Sequence, residues 1–262
     1  PAEVGARRQV GGGHRHHGSR RHRPFPRGLV SLTFDDGYAT QDTQARAYLD
    51  LRRMRATLYA LRDYAEAGED YHLTPARLRD LERRSGWEIG AHAAASTRHD
   101  RPRGYAGLSA AVLEEELAGV QSWLTGQGIH GGAQFAYPKG YFDPTVLDVV
   151  RARTSSGRVL LNTPVETWPP SDRHRLRAYM LTRSTPVSAV TALVDQAVVD
   201  RAGLEGRRPR QVEVVRRQAR TDMRLRARRP DRGRAFDRSL SEPQDQWLDA
   251  LLIRGSGKCR LQ

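Results

Sequence analysis

Short runs of apolar residues alternate along the chain with longer segments in which apolar residues recur every three or four positions. The short runs predict buried strands, and the longer segments predict amphipathic helices. The expected strands are 29–35, 55–61, 86–92, 133–138 and 158–161, and the expected helices are 43–53, 74–81, 109–124, 144–150 and 188–199. Because strands and helices alternate, the pattern predicts parallel βαβ units and therefore an α/β fold.

Two adjacent carboxylates, Asp35 and Asp36, stand at the end of the first predicted strand, and Gly37 follows them. Burying two neighbouring carboxylates is costly unless a cation or a shared proton compensates. A simple strand-to-turn junction explains Asp36 and Gly37, because Asp-Gly is common turn chemistry. It explains neither Asp35 nor the apolar approach, so the pair indicates a metal ion or a catalytic role.

Polar groups also stand at the ends of two later predicted strands. One strand ends on His92, and another runs into the tight sequence Pro138-Lys139-Gly140. In parallel α/β folds the chemistry lies where strands run into helices. Aspartate and histidine ligands with open coordination positions are what a hydrolytic metal site needs.

The charge of the chain is strongly positive but unevenly spread. The 44 lysines and arginines outnumber 30 acidic residues, and the excess lies in 1–27 and 201–238. We therefore expect a basic, disordered His/Arg/Gly-rich tail over 1–27, one domain over 28–200, and a poorly ordered Arg-rich segment over 201–262. A nucleic-acid-binding protein remains an alternative, although no basic patch interleaved with aromatic residues supports it.

Cysteine content and hydropathy exclude several other classes of protein. Cys259 is the only cysteine, which excludes an internal disulfide and a cysteine-based zinc site. No apolar run approaches the ~20 residues that span a bilayer, so no transmembrane segment is expected. No signal peptide is visible at the amino terminus, which a mature or truncated form would also lack.

Three motifs resemble those of a known family. They are TFDDGY at 33–38, EIGAH at 88–92 and FAYPKG at 135–140. In order and spacing they resemble the polysaccharide deacetylases, which carry the NodB homology domain and form carbohydrate esterase family four. The resemblance covers about 29–200. It implies a distorted (β/α) barrel, either complete or incomplete in this chain, and a divalent metal, usually zinc. The implied reaction removes N-acetyl groups from an N-acetylated polysaccharide.

The resemblance also implies a role for individual residues. Asp36 and His92 correspond to metal ligands, and Asp35 corresponds to the catalytic base. Lys139 stands where the family supplies a backbone amide to the oxyanion. The remaining residues implied to contact substrate are Tyr137, Pro138, Gly140 and Trp168.

Two positions depart from the family pattern. The second histidine ligand usually follows the first by four residues, but that position is Ser96 here. We expect His99, seven residues after His92, to be the third ligand, at the end of a longer loop. The alternative is a surface histidine beside Asp100. An arginine that orients the catalytic aspartate in many members is replaced here by Ala136.

A third departure concerns the late histidine that acts as general acid in the family. No histidine follows His174 in this chain. The segment from residue 201 is therefore expected to be an appendage or to have lost the family's last strands, and not to complete a regular barrel. A reading-frame error in a GC-rich coding sequence would give the same composition. A catalytically impaired, glycan-binding deacetylase-like protein is thus an alternative. The resemblance favours an extracellular or cell-envelope location.

Overall fold

The computed structural model describes residues 28–68, 71–160, 165–167, 170–182, 184–202, 210–216 and 259–261. The strands are β1 Gly28–Asp35, β2 Thr57–Leu61, β3 Glu88–Ala93, β4 Gln134–Ala136, β5 Ser156–Leu160, β6 Val165–Thr167, β7 Leu176–Leu181, β8 Arg210–Arg216 and β9 Cys259–Leu261. The helices are α1 Ala47–Leu51, α2 Arg62–Ala67, α3 Pro75–Ser85, α4 Ser96–His99, α5 Ala110–Gly126, α6 Pro144–Arg153 and α7 Val187–Ala202. A π-helical turn, Gln41–Arg46, leads into α1, and a 3-10 turn, Pro138–Gly140, follows β4. Every strand and helix expected from the pattern is present, with its ends shifted by a few residues.

Local sequence signals explain where the main helices begin. Thr74, Ser109 and Asp143 precede α3, α5 and α6, and each side chain accepts a hydrogen bond from the backbone N–H three residues later. These bonds satisfy donors that the first helical turn leaves without partners. Helix α3 ends at Ser85, and Gly86, which caps it, has a left-handed conformation with φ +65°. Glycine adopts that conformation without the steric cost that a side chain adds.

The parallel strands form a barrel. Strands β1, β2, β3, β4, β5 and β7 pair side by side in parallel as a curled sheet. Strand β8 pairs in parallel with both β7 and β1, which are the two edges of that sheet. Strand β6 pairs with β8 in the antiparallel direction, and β9 pairs with the beginning of β1. The expected α/β barrel of the NodB type is confirmed.

Strand β8 corrects one expectation. Sequence composition indicated that nothing after residue 201 takes part in the barrel, yet 210–216 pairs with β1 over six residue positions. Helix α7 also crosses the expected boundary at 200 and ends at Ala202. The central sequence Val-Glu-Val-Val at 212–215 is rich in β-branched residues, which favour strands. Because arginines flank this short run on both sides, the composition of the whole segment is dominated by charged residues and did not indicate a strand.

A continuous apolar core lies between the strands and the helices packed on them. On β1 the alternate residues Val30, Leu32 and Phe34 are buried, and Phe34 stacks on Trp87 with ring centroids 5.2 Å apart. This core fixes the strand ends, and it therefore fixes the position of the polar residues that follow them. Among the described residues no helix combines the length and the apolar character needed to cross a membrane.

Candidate metal centre and active site

The turn after β1 holds Asp35 and Asp36 in a buried position. Each residue is 3 % exposed. The backbone N–H of Asp36 donates to the carbonyl of Tyr59 on β2 at 3.1 Å, and the Gln41 amide donates to the carbonyl of Asp35 at 2.7 Å. Asp36 and Gly37 have φ values of +70° and +74°. Left-handed geometry at a non-glycine residue is uncommon and clusters at functional sites.

Three side chains converge beside this turn. Potential ligand atoms of Asp36, His92 and His99 lie within 4.8 Å of one another. Oδ1 of Asp36 lies 3.4 Å from Nε2 of His92 and 3.2 Å from Nε2 of His99, and the two Nε2 atoms are 3.1 Å apart. One carboxylate oxygen and two imidazole nitrogens facing one point are a donor set that suits zinc, so the residues fit the metal that the resemblance implies. Their role as ligands stays a prediction.

The second nitrogen of each imidazole ring is held by the protein. Nδ1 of His92 lies 2.8 Å from the carbonyl oxygen of Ala136, and Nδ1 of His99 lies 3.1 Å from Oδ1 of Asp100. Asp100 also accepts a hydrogen bond from the Tyr64 hydroxyl at 2.8 Å and lies 3.5 Å from the Lys139 ammonium. Such contacts fix the tautomer and direction of a metal-binding histidine. Both rings are thus held with Nε2 towards Asp36.

The electrostatics of the cluster favour a charged aspartate next to a neutral histidine. Burial alone raises the pKa of Asp36, but hydrogen bonds and charge interactions with His92 and His99 outweigh it and hold the pKa well below the usual value. Burial lowers the pKa of His99, and the nearby His92 and Lys139 lower it further, against the opposing effect of Asp36. Metals bind the carboxylate form of aspartate and the neutral form of histidine, so both shifts favour binding.

The longer spacing between the two histidines is built by a short helix. His99 is 1 % exposed at the end of α4, so the alternative of a surface histidine is wrong. Ser96, at the family position of the second ligand, begins α4 instead, and its backbone N–H donates to Asp63 at 2.9 Å. The extra residues therefore form one helical turn that carries His99 back towards Asp36.

A buried glutamate on α5 holds the same loop. Glu116, 2 % exposed, accepts hydrogen bonds from the backbone N–H groups of Ala94 and Ala95 at 3.2 and 3.1 Å. It also accepts from the Tyr105 hydroxyl at 2.6 Å and from the Arg98 guanidinium at 2.9 Å. Sequence reasoning missed this residue, because a lone glutamate on the apolar face of a predicted helix was the only signal.

Arg158 on β5 is the second residue that sequence reasoning missed. It is fully buried, and its guanidinium forms an ion pair with the carboxylate of Asp35. Ala136, where the resemblance expected an orienting arginine, is the register partner of Arg158 on the neighbouring strand β4. An arginine within a predicted buried strand was the available signal.

The remaining predicted site residues lie around the turn after β4. The Tyr137 ring is fully buried, and its hydroxyl donates to the carbonyl of His174 at 2.8 Å, so this side chain belongs to the core and does not face the site. Pro138 is also buried. Lys139 and Gly140 have φ values of +59° and +78° and form the tight turn. The prediction for Trp168 lies outside the described residues.

Comparison with known proteins agrees with this architecture. A family model described as polysaccharide deacetylase matches residues 22–154, just over half of the 262 residues. The chain therefore belongs to the polysaccharide deacetylase family. None of the curated proteins matches the chain.

Solved structures with a similar fold include three bacterial enzymes. A family 4 acetyl xylan esterase from Clostridium thermocellum, in complex with a cobalt ion, is 18% identical with a TM-score of 0.52, and the match covers 89% of this chain and 87% of that one. A de-N-acetylase from Aggregatibacter actinomycetemcomitans is 16% identical with a TM-score of 0.51, and the match covers 63% of this chain and 74% of that one. The Streptococcus pyogenes deacetylase PplD in complex with acetate is 21% identical with a TM-score of 0.48, and the match covers 57% of this chain and 64% of that one. The chain thus covers less than two thirds of the length of PplD. At 18% and 16% identity, the likeness to the first two structures shows the fold alone.

Proposed function

We propose that this protein is a metal-dependent hydrolase that removes N-acetyl groups from an N-acetylated polysaccharide. The observation that carries the proposal is the convergence of Asp36, His92 and His99 next to the carboxylate of Asp35. Family membership supplies the reaction class, deacetylation. The three converging residues would hold the metal, and zinc is the ion that their donor set suits best.

Each step of the proposed reaction has a residue to perform it. Asp36, His92 and His99 would hold the metal, which would supply polarisation of the acetyl carbonyl and would lower the pKa of water at the site. Asp35 accepts the proton of the attacking water. The backbone N–H of Lys139, in the turn after β4, donates to the oxyanion that forms on the acetyl carbon. The protonated Asp35 then returns the proton to the departing amine as the carbon–nitrogen bond breaks, so the products are acetate and a free amino sugar.

This route uses Asp35 twice because the chain lacks the late histidine. His174 is the last histidine of the sequence, and its Nε2 lies 3.0 Å from the carbonyl of Thr154, within the core. One carboxylate that first accepts and then donates a proton is common in hydrolysis. We also propose an extracellular or cell-envelope location, where polymeric glycans occur, on the ground of the family resemblance.

The test combines metal analysis with two substrates. Protein purified with zinc should contain about one metal ion per chain and release acetate from an N-acetylated chito-oligosaccharide faster than from an acetylated xylan. The xylan comparison is needed because the similar structures include an acetyl xylan esterase and a de-N-acetylase. Faster release from xylan would make the protein an esterase and overturn the assignment of substrate.

The same measurements separate the alternatives. Bound metal and glycan retention without acetate release would identify an impaired, glycan-binding member of the family. Absence of bound metal would overturn the proposed centre. Binding to DNA that falls steeply with salt concentration would instead support a nucleic-acid-binding protein.

A further inference from the structure

We infer that Arg158 is a positioning residue that fixes the carboxylate of Asp35 for catalysis. The inference rests on the proposed function, since Asp35 is the base of that reaction. Arg158 itself acts through Asp35 and needs no contact with substrate. It lies 123 residues after its partner, on β5, and reaches the end of β1 across the barrel.

The first argument is the contact pattern of Asp35. Its Oδ1 accepts from Nη2 of Arg158, and within the described part of the chain no other side chain bonds this carboxylate. The terminal torsion of an aspartate is broad and roughly two-fold, so a partner that bonds one oxygen restricts the orientation of the carboxylate. One oxygen held by the guanidinium leaves the other, Oδ2, to take the proton of the attacking water. Misplacement of a catalytic group by ~1 Å costs about 10²-fold in rate, so this restraint has a functional consequence.

The second argument is the depth at which the guanidinium is buried. The Arg158 side chain is 0 % exposed. Removing a guanidinium from water is costly, and a buried ion pair often adds little net stability compared with well-packed apolar residues. Stability alone therefore does not account for an arginine at this position. Orientation of a catalytic partner does account for it.

The third argument is that neighbouring residues restrict where the guanidinium of Arg158 can lie. Its central carbon lies 5.1 Å from the centre of the Tyr59 ring, and Tyr59 is the register partner of Asp35 on β2. Tyr59 in turn packs over Gly90, where an added Cβ would lie 2.7 Å from the ring. The close approach of the ring to Gly90 restricts the position that the ring can take. Tyr59 therefore helps to fix the direction from which Arg158 approaches Asp35.

The test compares Arg158→Met with a matched variant, Arg177→Met. Arg177, on β7, pairs with the buried carboxylate of Glu166. Glu166 is in register with Gln211 of β8, which is in register with Leu29. Both substitutions therefore remove an arginine from a buried carboxylate of one barrel, but the control pair lies six residues along β1 from Asp35, roughly 20 Å at ~3.3 Å per residue.

The proposal predicts different kinetics for the two variants. With zinc bound, Arg158→Met should lower kcat about 10²-fold while KM and zinc affinity stay within about twofold, because only the base is misplaced. Arg177→Met should keep kcat within about twofold, whatever its effect on stability. If Arg158→Met keeps the kcat of the wild type, or if both variants lose kcat equally, the positioning role is refuted.

Two further measurements keep the test decisive. If Arg158→Met does not fold, Arg158→Lys retains the charge but lacks the planar fork of donors, so its kcat should fall at least tenfold, and an unchanged kcat would refute the role. If the wild type releases no acetate, the proposed function fails by itself. A crystal structure of the folded variant then decides the inference: a turned Asp35 carboxylate supports it, and an unmoved carboxylate overturns it.

Discussion

Replacing Glu116 by alanine should weaken metal binding although Glu116 is not expected to touch the metal. Glu116 lies on α5 and holds the loop between His92 and His99 through the backbone N–H groups of Ala94 and Ala95. In the alanine variant these two donors, the Tyr105 hydroxyl and the Arg98 guanidinium lose a charged acceptor inside the protein. The loop that carries His99 then loses the hydrogen bonds from its backbone to α5.

The expected magnitude follows from the number of bonds lost. Hydrogen bonds to a charged group contribute about 1.5–3 kcal/mol each. Four such bonds sum to roughly 6–12 kcal/mol, but bonds that share one acceptor are not additive. We therefore expect the free energy of unfolding to fall by about 3–5 kcal/mol. Outer contacts of metal ligands typically change metal affinity by about 10–100-fold, and we expect a loss of zinc affinity in that range.

The assay needs the metal-free and the zinc-loaded protein. Urea unfolding of the metal-free form measures stability, and competition with a chelating dye measures zinc affinity. Glu115→Ala is the matched control, because this neighbouring glutamate also lies near Arg98, at 3.5 Å, but its side chain is 70% exposed. Exposed ion pairs contribute about 0–1 kcal/mol, so the control should change neither quantity appreciably.

One result would refute the reasoning about Glu116. If Glu116→Ala lowers the free energy of unfolding but binds zinc as tightly as the wild type, the loop keeps its shape without Glu116. The glutamate would then support the core alone. The position of His99 would depend instead on Asp63, which accepts from the backbone N–H at the start of α4.

Three further predictions concern the base, a helix cap and the last barrel strand. Asp35→Asn should lower turnover ~10²–10⁴-fold with zinc affinity nearly unchanged, whereas Asp36→Asn should weaken zinc binding; equal metal loss in both would contradict this division of roles. Asp143→Ala should cost ~1 kcal/mol at pH 7, measured by urea unfolding, because it removes the cap of α6. Burial alone raises the pKa of the Asp143 carboxyl, but backbone hydrogen bonds outweigh burial and lower this pKa in the folded protein. The stabilisation by Asp143 is therefore fully present above the unfolded pKa of ~4 and should be lost as the pH falls through the lower pKa of the folded protein. Ending the chain at residue 206 removes β8 from between β1 and β7 and should abolish the cooperative unfolding transition, and a truncated protein that unfolds like the full chain would show that the strand is dispensable.

The sequence predicted the part of the site that depends on strand ends. Asp36 and His92 follow directly from apolar runs that stop at polar residues, and parallel strands bring such ends to one edge. Local pattern was sufficient here because each residue is fixed by its own strand. The same pattern placed the beginnings of α3 and α5 within one residue, since a helix start depends on residues within one helical turn.

The parts that the sequence did not predict depend on contacts between distant segments. Arg158 meets Asp35 only after five strands have curled into the barrel, and nothing in the sequence near residue 158 specifies that partner. The attachment of Glu116 to Ala94 and Ala95 likewise joins two elements whose packing angle the pattern does not determine. Strand β8 was missed because its short apolar signal was judged together with its arginine-rich flanks.

Two departures from the family motifs are matched by structure elsewhere in the chain. Where Ser96 replaces the usual second histidine, one turn of helix carries His99 to the cluster and Asp63 receives the free N–H of that turn. Where Ala136 replaces the usual arginine, the paired position on the next strand supplies Arg158 to the same carboxylate. In a site that has lost its activity, nothing maintains the ligand set or the partner of the catalytic carboxylate, so such residues would be lost without replacement. Buried charges are costly unless they are paired, which also disfavours keeping them without a function. The coincidence of both replacements therefore favours an enzyme that retains its centre over a glycan-binding remnant.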